Sequence, residues 1–214
     1  MIFLDYSPVA MASIYSQMKY ISEDGVIQDD IVRHMIFNSI RRLNKLHTAK
    51  FGKMVICFDS DANWRKEEFE LYKANRKKSR DEQGDDGFDW DSFWGIFNEV
   101  KEAVKENLPY VSVEVSGAEA DDVIGTLVRY EFETNPKTPT LIISTDGDFE
   151  QLQRYPNVKQ YTPTFDKWVV SKDPMEKLYT KIVKGDKKDG VPNIKSPDNS
   201  IIDSIRQKIY QQSF

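Results

Sequence analysis

Acidic residues follow four short apolar segments of the chain, close to the points where the chain leaves each segment. Seven carboxylates have this position: Asp5, Asp59, Glu119, Asp121, Asp122, Asp146 and Asp148. Carboxylates gathered within a few ångströms repel one another and raise each other's pKa values unless a cation neutralises them. Ligand sets made only of oxygen suit Mg²⁺ or Mn²⁺. The pattern therefore predicts a site for divalent metal ions.

Paired metal ions in such a site hydrolyse phosphodiesters, because one orients a hydroxide and the other stabilises the leaving oxygen at a separation of about 4 Å. The chain has only two histidines and one cysteine, which excludes an ordinary structural zinc site. It contains neither a Walker A lysine loop nor a dinucleotide fingerprint. No serine or cysteine has a candidate base near it. Metal-assisted hydrolysis is the chemistry that these residues favour.

The acidic residues also have structural interpretations. Ser116 and Glu119 have the spacing of a capping box, and Asp146 could cap a short helix that begins near Asp148. The remaining acids could start turns or favour the positive end of a helix. An α/β domain with capping acids and no site therefore stays open.

The first basic segment follows Asp59. On a continuous helix Arg65, Phe69, Tyr72 and Arg76 share one face, which suits a phosphate held beside a stacked base. Lys73 lies at the margin of that face. A solvated helix face with glutamates as partners is the alternative.

The second basic segment surrounds a polar turn at residues 185–192. Its cations are Lys181, Lys184, Lys187 and Lys188. A helix–turn–helix of this kind can grip a phosphate backbone without reading bases, although an ordinary solvated turn has the same pattern.

The elements that must position these residues alternate along the chain. Apolar runs predict strands at residues 1–5, 54–59, 110–115 and 140–144, and helical periodicity predicts helices at 8–20, 27–47, 88–107 and 118–133. This alternation predicts an α/β fold with a mainly parallel sheet covered by helices. Ligands collect outside the carboxyl ends of such strands, so the acids meet in one crevice. Residues 64–87 end in an exposed loop, and residues 173–214 form a helix, a turn and an amphipathic helix.

The formal charge of −5 does not exclude a nucleic-acid partner. When eight carboxylates without Asp122 are set aside for metal binding, 27 of the 35 acidic residues remain against 30 basic residues; the eight are Asp5, Asp59, Glu119, Asp121, Asp146, Asp148, Asp186 and Asp189. No apolar run is long enough to span a membrane, for which about 20 residues are needed. The single cysteine, Cys57, lies in an apolar strand segment, which indicates a reducing compartment such as the cytoplasm.

Five ordered motifs resemble those of the 5′-nuclease (flap endonuclease) family, and nearly the whole chain is similar to its phage ribonuclease H members. The motifs are Phe58-Asp59 with Trp64-Arg65, Tyr72-Lys73-Ala-Asn75-Arg76, Glu119-Ala-Asp121-Asp122, Ser144-Thr-Asp146-Gly-Asp148-Phe, and Gly185-Asp186-Lys-Lys-Asp189. The resemblance implies a PIN-like nuclease core over residues 1–172, with a helical arch at about 64–107. It also implies a helix–three-turn–helix module over residues 173–214.

The resemblance further implies a 5′→3′ exonuclease and flap endonuclease that removes RNA primers and 5′ flaps during phage lagging-strand replication. It implies two Mg²⁺ ions, replaceable by Mn²⁺, held by Asp5, Asp59, Glu119, Asp121, Asp122, Asp146, Asp148, Asp186 and Asp189. Lys73 and Arg76 correspond to cations that contact the scissile phosphate, and with Asp121, Asp146 and Asp148 they form the expected catalytic set. The expected nucleic-acid contacts are Arg65, Tyr72, Lys73, Arg76, Lys77, Lys184, Lys187 and Lys188.

The implied partners are branched DNA, 5′-flap DNA and RNA–DNA hybrid, with a single-stranded-DNA-binding protein and a sliding clamp. Residues 185–194 lack the closely spaced glycines with which many relatives bind K⁺, so that ion is not expected. The chain ends at Phe214, where the phage relatives continue. Weaker binding of duplex DNA is therefore expected. Two other functions stay open: a PIN-domain endoribonuclease acting on single-stranded RNA, and a non-catalytic nucleic-acid-binding protein.

Overall fold

The computed structural model describes residues 1–15, 22–23, 26–74 and 90–197. The described strands are β1 (Ile2–Asp5), β2 (Ser22–Glu23), β3 (Val26–Ile27), β4 (Met54–Phe58), β5 (Val111–Glu114), β6 (Thr140–Ile143), β7 (Val158–Thr162) and β8 (Lys167–Val169). The described helices are α1 (Tyr6–Tyr15), α2 (Asp29–Phe51), α3 (Trp64–Glu68), α4 (Trp90–Asn107), α5 (Ala120–Thr134) and α6 (Glu176–Lys184), with a 3₁₀ helix at Gly147–Arg154.

The main sheet has six strands in the order β5-β4-β1-β6-β7-β8. Strand β1 pairs in parallel with β4 on one side and β6 on the other, and only β8 runs antiparallel to its neighbour. The predicted mainly parallel α/β sheet is thus confirmed. Because parallel strands end at the same edge, β1, β4 and β6 deliver the residues that follow them to one place.

Helices cover both faces of this sheet, and alternate strand residues point to opposite faces. Leu4 and Ile56 lie in a core formed with α1, α2 and α4. Phe3 and Val55 lie in a second core formed with α5 and the 3₁₀ helix. Burial on both faces explains why β1, β4 and β6 are continuous apolar runs instead of alternating patterns.

Two strands of the sheet were not predicted. Strand β7 contains Lys159 and Gln160 among its apolar residues, and β8 is a three-residue edge strand. Gln160 is 1% exposed, and its amide donates to the main-chain carbonyl of Asp146 at 2.6 Å. Its polarity is therefore used to hold a loop, which sequence periodicity does not reveal.

Several helix boundaries also differ from those predicted. Helix α2 continues past residue 47 to Phe51 and ends at Gly52, whose φ is 82°. Helix α5 begins at Ala120, two residues later than predicted. The predicted end of α1 near residue 20, the loop predicted at the end of residues 64–87 and the final helix lie outside the described residues. No helix in the described ranges is both long and apolar enough to cross a membrane.

Candidate metal centre

Asp5 lies at the carboxyl edge of the sheet as the last residue of the central strand β1. It is 5% exposed, and one of its oxygens accepts a hydrogen bond from Ser144 Oγ at 2.8 Å. Burial, together with the nearby charges of Asp59, Asp121 and Asp146, holds the pKa of Asp5 well above its usual value. Asp5 is thus a buried carboxyl among like charges, the situation that a bound cation relieves.

Asp146 follows β6 and is fixed from two directions. Its main-chain N–H donates to Ser144 Oγ at 3.0 Å, and its Oδ1 accepts from the N–H of Asp148 at 2.9 Å. Asp146 therefore caps the 3₁₀ helix, as its structural interpretation predicted. The cap uses one carboxylate oxygen and leaves the other available to a metal ion. Asp146 can therefore be both a helix cap and a metal ligand.

Asp59 connects the end of β4 to the start of α5. Its Oδ1 accepts a hydrogen bond from the N–H of Ala120 at 2.9 Å. The N–H of Ser60 also donates to the carbonyl of Ala118 at 3.1 Å, so these two segments are held together. This contact brings Asp59 beside the acids of α5.

Asp122 is engaged on both carboxylate oxygens by side chains from α3. Arg65 donates to them at 2.6 and 2.8 Å, and Trp64 Nε1 donates at 3.1 Å. One oxygen also accepts the N–H of Glu119 at 3.1 Å, so Glu119 and Asp122 form the N-terminal cap of α5. The predicted capping box between Ser116 and Glu119 is therefore wrong. Burial alone would raise the pKa of Asp122, but the hydrogen bonds from Arg65 hold it below its usual value.

Glu119 is surrounded by donors from the segment after β4. Tyr72 Oη donates to it at 2.8 Å, Lys73 Nζ at 2.5 Å, and Arg65 Nη1 lies at 3.2 Å. Burial would raise the pKa of Glu119, but the Lys73 and Tyr72 hydrogen bonds lower it. This carboxylate is thus kept ionised by its neighbours.

The basic segment that carries these donors is not one continuous helix. Helix α3 ends at Glu68, and the chain turns before Tyr72 and Lys73, where Lys73 has a φ of 58°. The turn directs Tyr72 inward, where its ring is 7% exposed between Arg65 and Lys73. The prediction of a continuous helix, with one face on which a base would stack, is therefore wrong. Arg76 and Lys77 lie outside the described residues.

Asp121 has a carboxylate oxygen that accepts no hydrogen bond. Its side chain keeps 39% exposure, yet Oδ1 is buried, and among the described residues its recorded neighbour is Arg65 Nη2 at 3.9 Å, beyond hydrogen-bond distance. Burial raises the pKa of Asp121 to about 6, although the charge of Arg65 opposes this. A buried carboxylate oxygen that accepts no hydrogen bond is a suitable ligand for a cation.

A second acidic group joins the 3₁₀ helix to the turn after α6. One carboxylate oxygen from each of Asp148, Asp186 and Asp189 lies within 4.8 Å of the others. Lys181 Nζ lies 2.6 Å from Asp148 and also contacts Asp186. The structure thus places a cation among these carboxylates, which supports their fit to a metal ion.

The 186–191 turn is closed by two main-chain hydrogen bonds between Asp186 and Val191, at 2.8 and 2.9 Å. Gly185 enters it with a φ of 78°. A Cβ at Gly185 would overlap the carbonyl oxygen of Val191, so only glycine fits. Lys184, Lys187 and Lys188 lie exposed around this turn.

Lys73 connects the two acidic groups. Its side chain pairs with Glu119 in the first group, while its main-chain N–H donates to the carbonyl of Asp189 in the second at 2.7 Å. Asp146 and Asp148 make the other connection through their cap. The acids therefore form two adjoining groups, and both consist of the oxygen donors that Mg²⁺ and Mn²⁺ prefer.

Three residues that support the site were given no role in the sequence analysis. They are Ser144, Gln160 and Trp64. Lys181 was grouped with the cations expected to bind a phosphate backbone, whereas it contacts Asp148 and Asp186. Only the role of Ser144 could have been predicted from its neighbours in the sequence, since it lies between a buried strand and Asp146. The others act across many residues of sequence.

The chain is similar to several known proteins. Residues 4–180 match the 5′–3′ exonuclease N-terminal resolvase-like domain. Ribonuclease H of Enterobacteria phage T4 is 36% identical over 198 residues, which cover 90% of this chain and 62% of that protein. A DNA polymerase I of Rhizobium leguminosarum is 32% identical over 151 residues, or 66% of this chain and 13% of the polymerase. The chain thus spans less than two thirds of either relative.

Solved structures show the same fold. A bacteriophage T5 5′-exonuclease with divalent metal ions (zinc) bound has a TM-score of 0.68 at 17% identity, covering 97% of this chain and 74% of that one. A bacteriophage T5 flap endonuclease in a pseudo-enzyme-product complex with DNA and metal ions has a TM-score of 0.64 at 17% identity. The match covers 96% of this chain and 74% of that one. These likenesses identify the fold as PIN-like. Together with the domain match, they show that the chain belongs to the 5′–3′ exonuclease family of nucleases.

Proposed function

We propose that this chain is a divalent-metal-dependent phosphodiesterase that cuts nucleic acid from its 5′ side, as a 5′→3′ exonuclease and flap endonuclease. The observation that carries the proposal is the pair of adjoining carboxylate groups, one at the sheet edge and one at the 186–191 turn. Lys73 and the Asp146–Asp148 cap join them. Family membership supports the same activity.

In this proposal the two groups hold two Mg²⁺ ions, or Mn²⁺ in their place. Asp5, Asp59, Glu119, Asp121 and Asp146 serve the first, and Asp148, Asp186 and Asp189 serve the second. When bound, such ions supply a hydroxide at neutral pH and neutralise charge that develops on the phosphate. The same proposal gives Asp121, Asp146 and Asp148 catalytic roles, because their carboxylate oxygens would hold the ions beside the reacting phosphate.

Asp122 is proposed as a positioning residue instead of a metal ligand. Arg65 donates to both of its oxygens at once, and the N–H of Glu119 binds one of them in the N-terminal cap of α5. Arg65 and Tyr72 act in the same way, since their polar atoms are directed at carboxylates. This network fixes Glu119 and the first turn of α5.

Six cations are assigned to the substrate in this proposal. Lys73 Nζ contacts Glu119 at the edge of the first group, from which it can reach a phosphate oxygen. Arg76 and Lys77 would contribute from the arch, and Lys184, Lys187 and Lys188 would contact a duplex backbone from the 186–191 turn. Residues 1–172 would thus form the nuclease core and residues 173–214 the duplex-binding module.

The corresponding biological role is removal of RNA primers and 5′ flaps during lagging-strand synthesis by a phage, in the cytoplasm of its host. Branched DNA, 5′-flap DNA and RNA–DNA hybrid would be the substrates. A single-stranded-DNA-binding protein and a sliding clamp would be the protein partners. Membership of the family and the likeness to phage ribonuclease H support this proposal.

The direct test is digestion of three 5′-labelled substrates with and without Mg²⁺: an RNA–DNA hybrid, a 5′-flapped duplex and single-stranded RNA. We expect cutting of the first two, and no cutting when EDTA is present. Cutting of single-stranded RNA alone would identify an endoribonuclease instead. A chain that binds these substrates without cutting any would be a non-catalytic relative.

The second carboxylate group depends on Gly185, so Gly185→Ala should damage both stability and cleavage. A non-glycine residue at this φ costs about 1–3 kcal/mol, and its Cβ would in addition displace Val191. Movement of Asp186 and Asp189 by about 1 Å should slow cleavage by about 10²-fold.

Gly52→Ala is the matched control for this variant. Gly52 has a φ of 82°, but a Cβ there would meet no atom within 4 Å. We expect it to lower the melting temperature less and to leave the cleavage rate unchanged. Equal rates for the two variants would contradict the assignment of Asp186 and Asp189.

A further inference from the structure

A groove leads from the carboxylate groups along one side of α5. It has a volume of about 370 Å³ and lies between α5 and the 3₁₀ helix. Asp121 and Asp148, one from each carboxylate group, line its inner end, while Arg129 and Arg154 line its outer end. The groove is therefore continuous with the candidate metal centre.

Helical geometry explains why one face of α5 forms the wall of this groove. Asp121, Gly125 and Arg129 are spaced four residues apart and so lie on the same side of the helix. From Asp121 to Arg129 the helix rises about 12 Å. Gly125 presents no side chain midway, and a Cβ there would meet no atom within 4 Å. The middle of the groove is therefore open.

The charge reverses along the groove. At the inner end Arg65 is neutralised by Asp122 and Glu119. At the outer end Arg129 is 62% exposed, and the carboxylate recorded near it, Glu133, is 3.8 Å away. Arg154 donates to the hydroxyl of Tyr155 at 3.1 Å and lies 3.9 Å from the sulfur of Met175. Within the described ranges, no ion pair to a carboxylate is recorded for Arg154.

We propose that this groove binds the phosphate backbone of single-stranded nucleic acid, namely the cleaved strand one or two phosphates beyond the scissile one. The inference rests on the proposed function, because it takes the acidic end as the place of cleavage. Arginines suit phosphate because their planar guanidinium groups donate two parallel hydrogen bonds. A volume of this size accommodates about one or two nucleotides and is too small for a duplex. Thr126 adds a hydroxyl donor in the middle of the path.

The outer arginines are therefore binding residues, and their removal should lower the affinity for a single strand. Each phosphate contact on a single strand contributes about 0.7 to the slope of log binding constant against log salt concentration. Removing both arginines should thus reduce the magnitude of that slope by about 1.4 and weaken binding at low salt by roughly 10-fold or more.

The experiment measures anisotropy of a labelled 12-nucleotide single strand in EDTA over a range of salt concentrations. The variants are Arg129→Gln with Arg154→Gln, and the charge-retaining pair Arg129→Lys with Arg154→Lys. Arg41→Gln is the control, since Arg41 is an exposed residue of α2, which packs on the opposite face of the sheet. We expect a smaller slope and weaker binding in the glutamine pair, and partial recovery of both in the lysine pair. The control should have the slope and affinity of the unmodified protein.

An unchanged slope in the glutamine pair, or an equal change in Arg41→Gln, would overturn the proposal. Melting temperatures of all variants establish that they are folded. Binding in EDTA does not require cleavage, so this result is separate from the test of the proposed function. Normal Mg²⁺-dependent cutting with an unchanged slope would refute the groove alone. A changed slope in a chain that never cuts would refute the nuclease activity alone.

Discussion

Asp148→Asn should lower the rate of Mg²⁺-dependent cleavage by about 10³-fold or more while substrate binding persists. Asp148 contributes an oxygen to the second carboxylate group, and a metal ion supplies several kcal/mol of charge stabilisation in phosphoryl transfer. Each 1.36 kcal/mol lost from that stabilisation costs a factor of ten in rate. Single-turnover cleavage of a flapped duplex, with its dissociation constant measured separately in EDTA, checks both parts.

Glu150→Gln is the matched control for Asp148→Asn. Glu150 lies two residues further along the same 3₁₀ helix and pairs with Lys177 at 3.0 Å, outside the carboxylate groups. Its exposed ion pair contributes about 0–1 kcal/mol, so the rate should stay within about two-fold of the unmodified chain. Retained cleavage in Asp148→Asn, or equal loss in both variants, would remove Asp148 from the site.

Lys73→Gln should slow cleavage by roughly 10²-fold or more with little change in binding. Loss of one electrostatic stabiliser at the reacting group typically costs 10²–10³-fold in rate. Lys73 is at this point because its unusual φ of 58° directs its side chain to Glu119 and its N–H to Asp189. The measurement is the single-turnover rate at saturating protein.

Lys66→Gln gives the comparison for Lys73→Gln. Lys66 is an exposed lysine on α3, in the same basic segment. If general electrostatic attraction were the function of this segment, both variants would lose affinity to the same extent and neither would lose the single-turnover rate. A selective loss of rate in Lys73→Gln is what the structure leads us to expect.

The central part of the fold was predictable because it depends on local patterns. Strands buried on both faces are continuous apolar runs, and β1, β4 and β6 are of this kind. Strand β7 escaped prediction because buried Gln160 interrupts the run, and its partner becomes visible only in three dimensions. Strand β8 is too short and too exposed to produce a pattern.

For the candidate site, sequence indicated which carboxylates lie near strand ends but not what each one contacts. Arg65 and Asp122 are 57 residues apart, so their bidentate pairing could not be read from spacing. The position of the α5 cap was predicted wrongly, because Ser116 followed by Glu119 three residues later has the spacing of a capping box. The N–H of Ala120 donates to Asp59, and the N–H of Glu119 donates to Asp122. These hydrogen bonds show that the N-terminal cap of α5 is at Glu119.

Lys181 lies among the carboxylates of the second group, bound to Asp148 and Asp186. It serves as an internal counter-ion, so these acids can be brought together while the chain folds without waiting for metal. Metal entry there is then an exchange, in which an incoming ion takes over contacts that the ammonium already makes. The apparent metal affinity of the second group therefore depends on how much more tightly its carboxylates bind the metal ion than the Lys181 ammonium. We therefore expect the first group, in which Asp121 Oδ1 accepts no hydrogen bond, to fill at lower metal concentration.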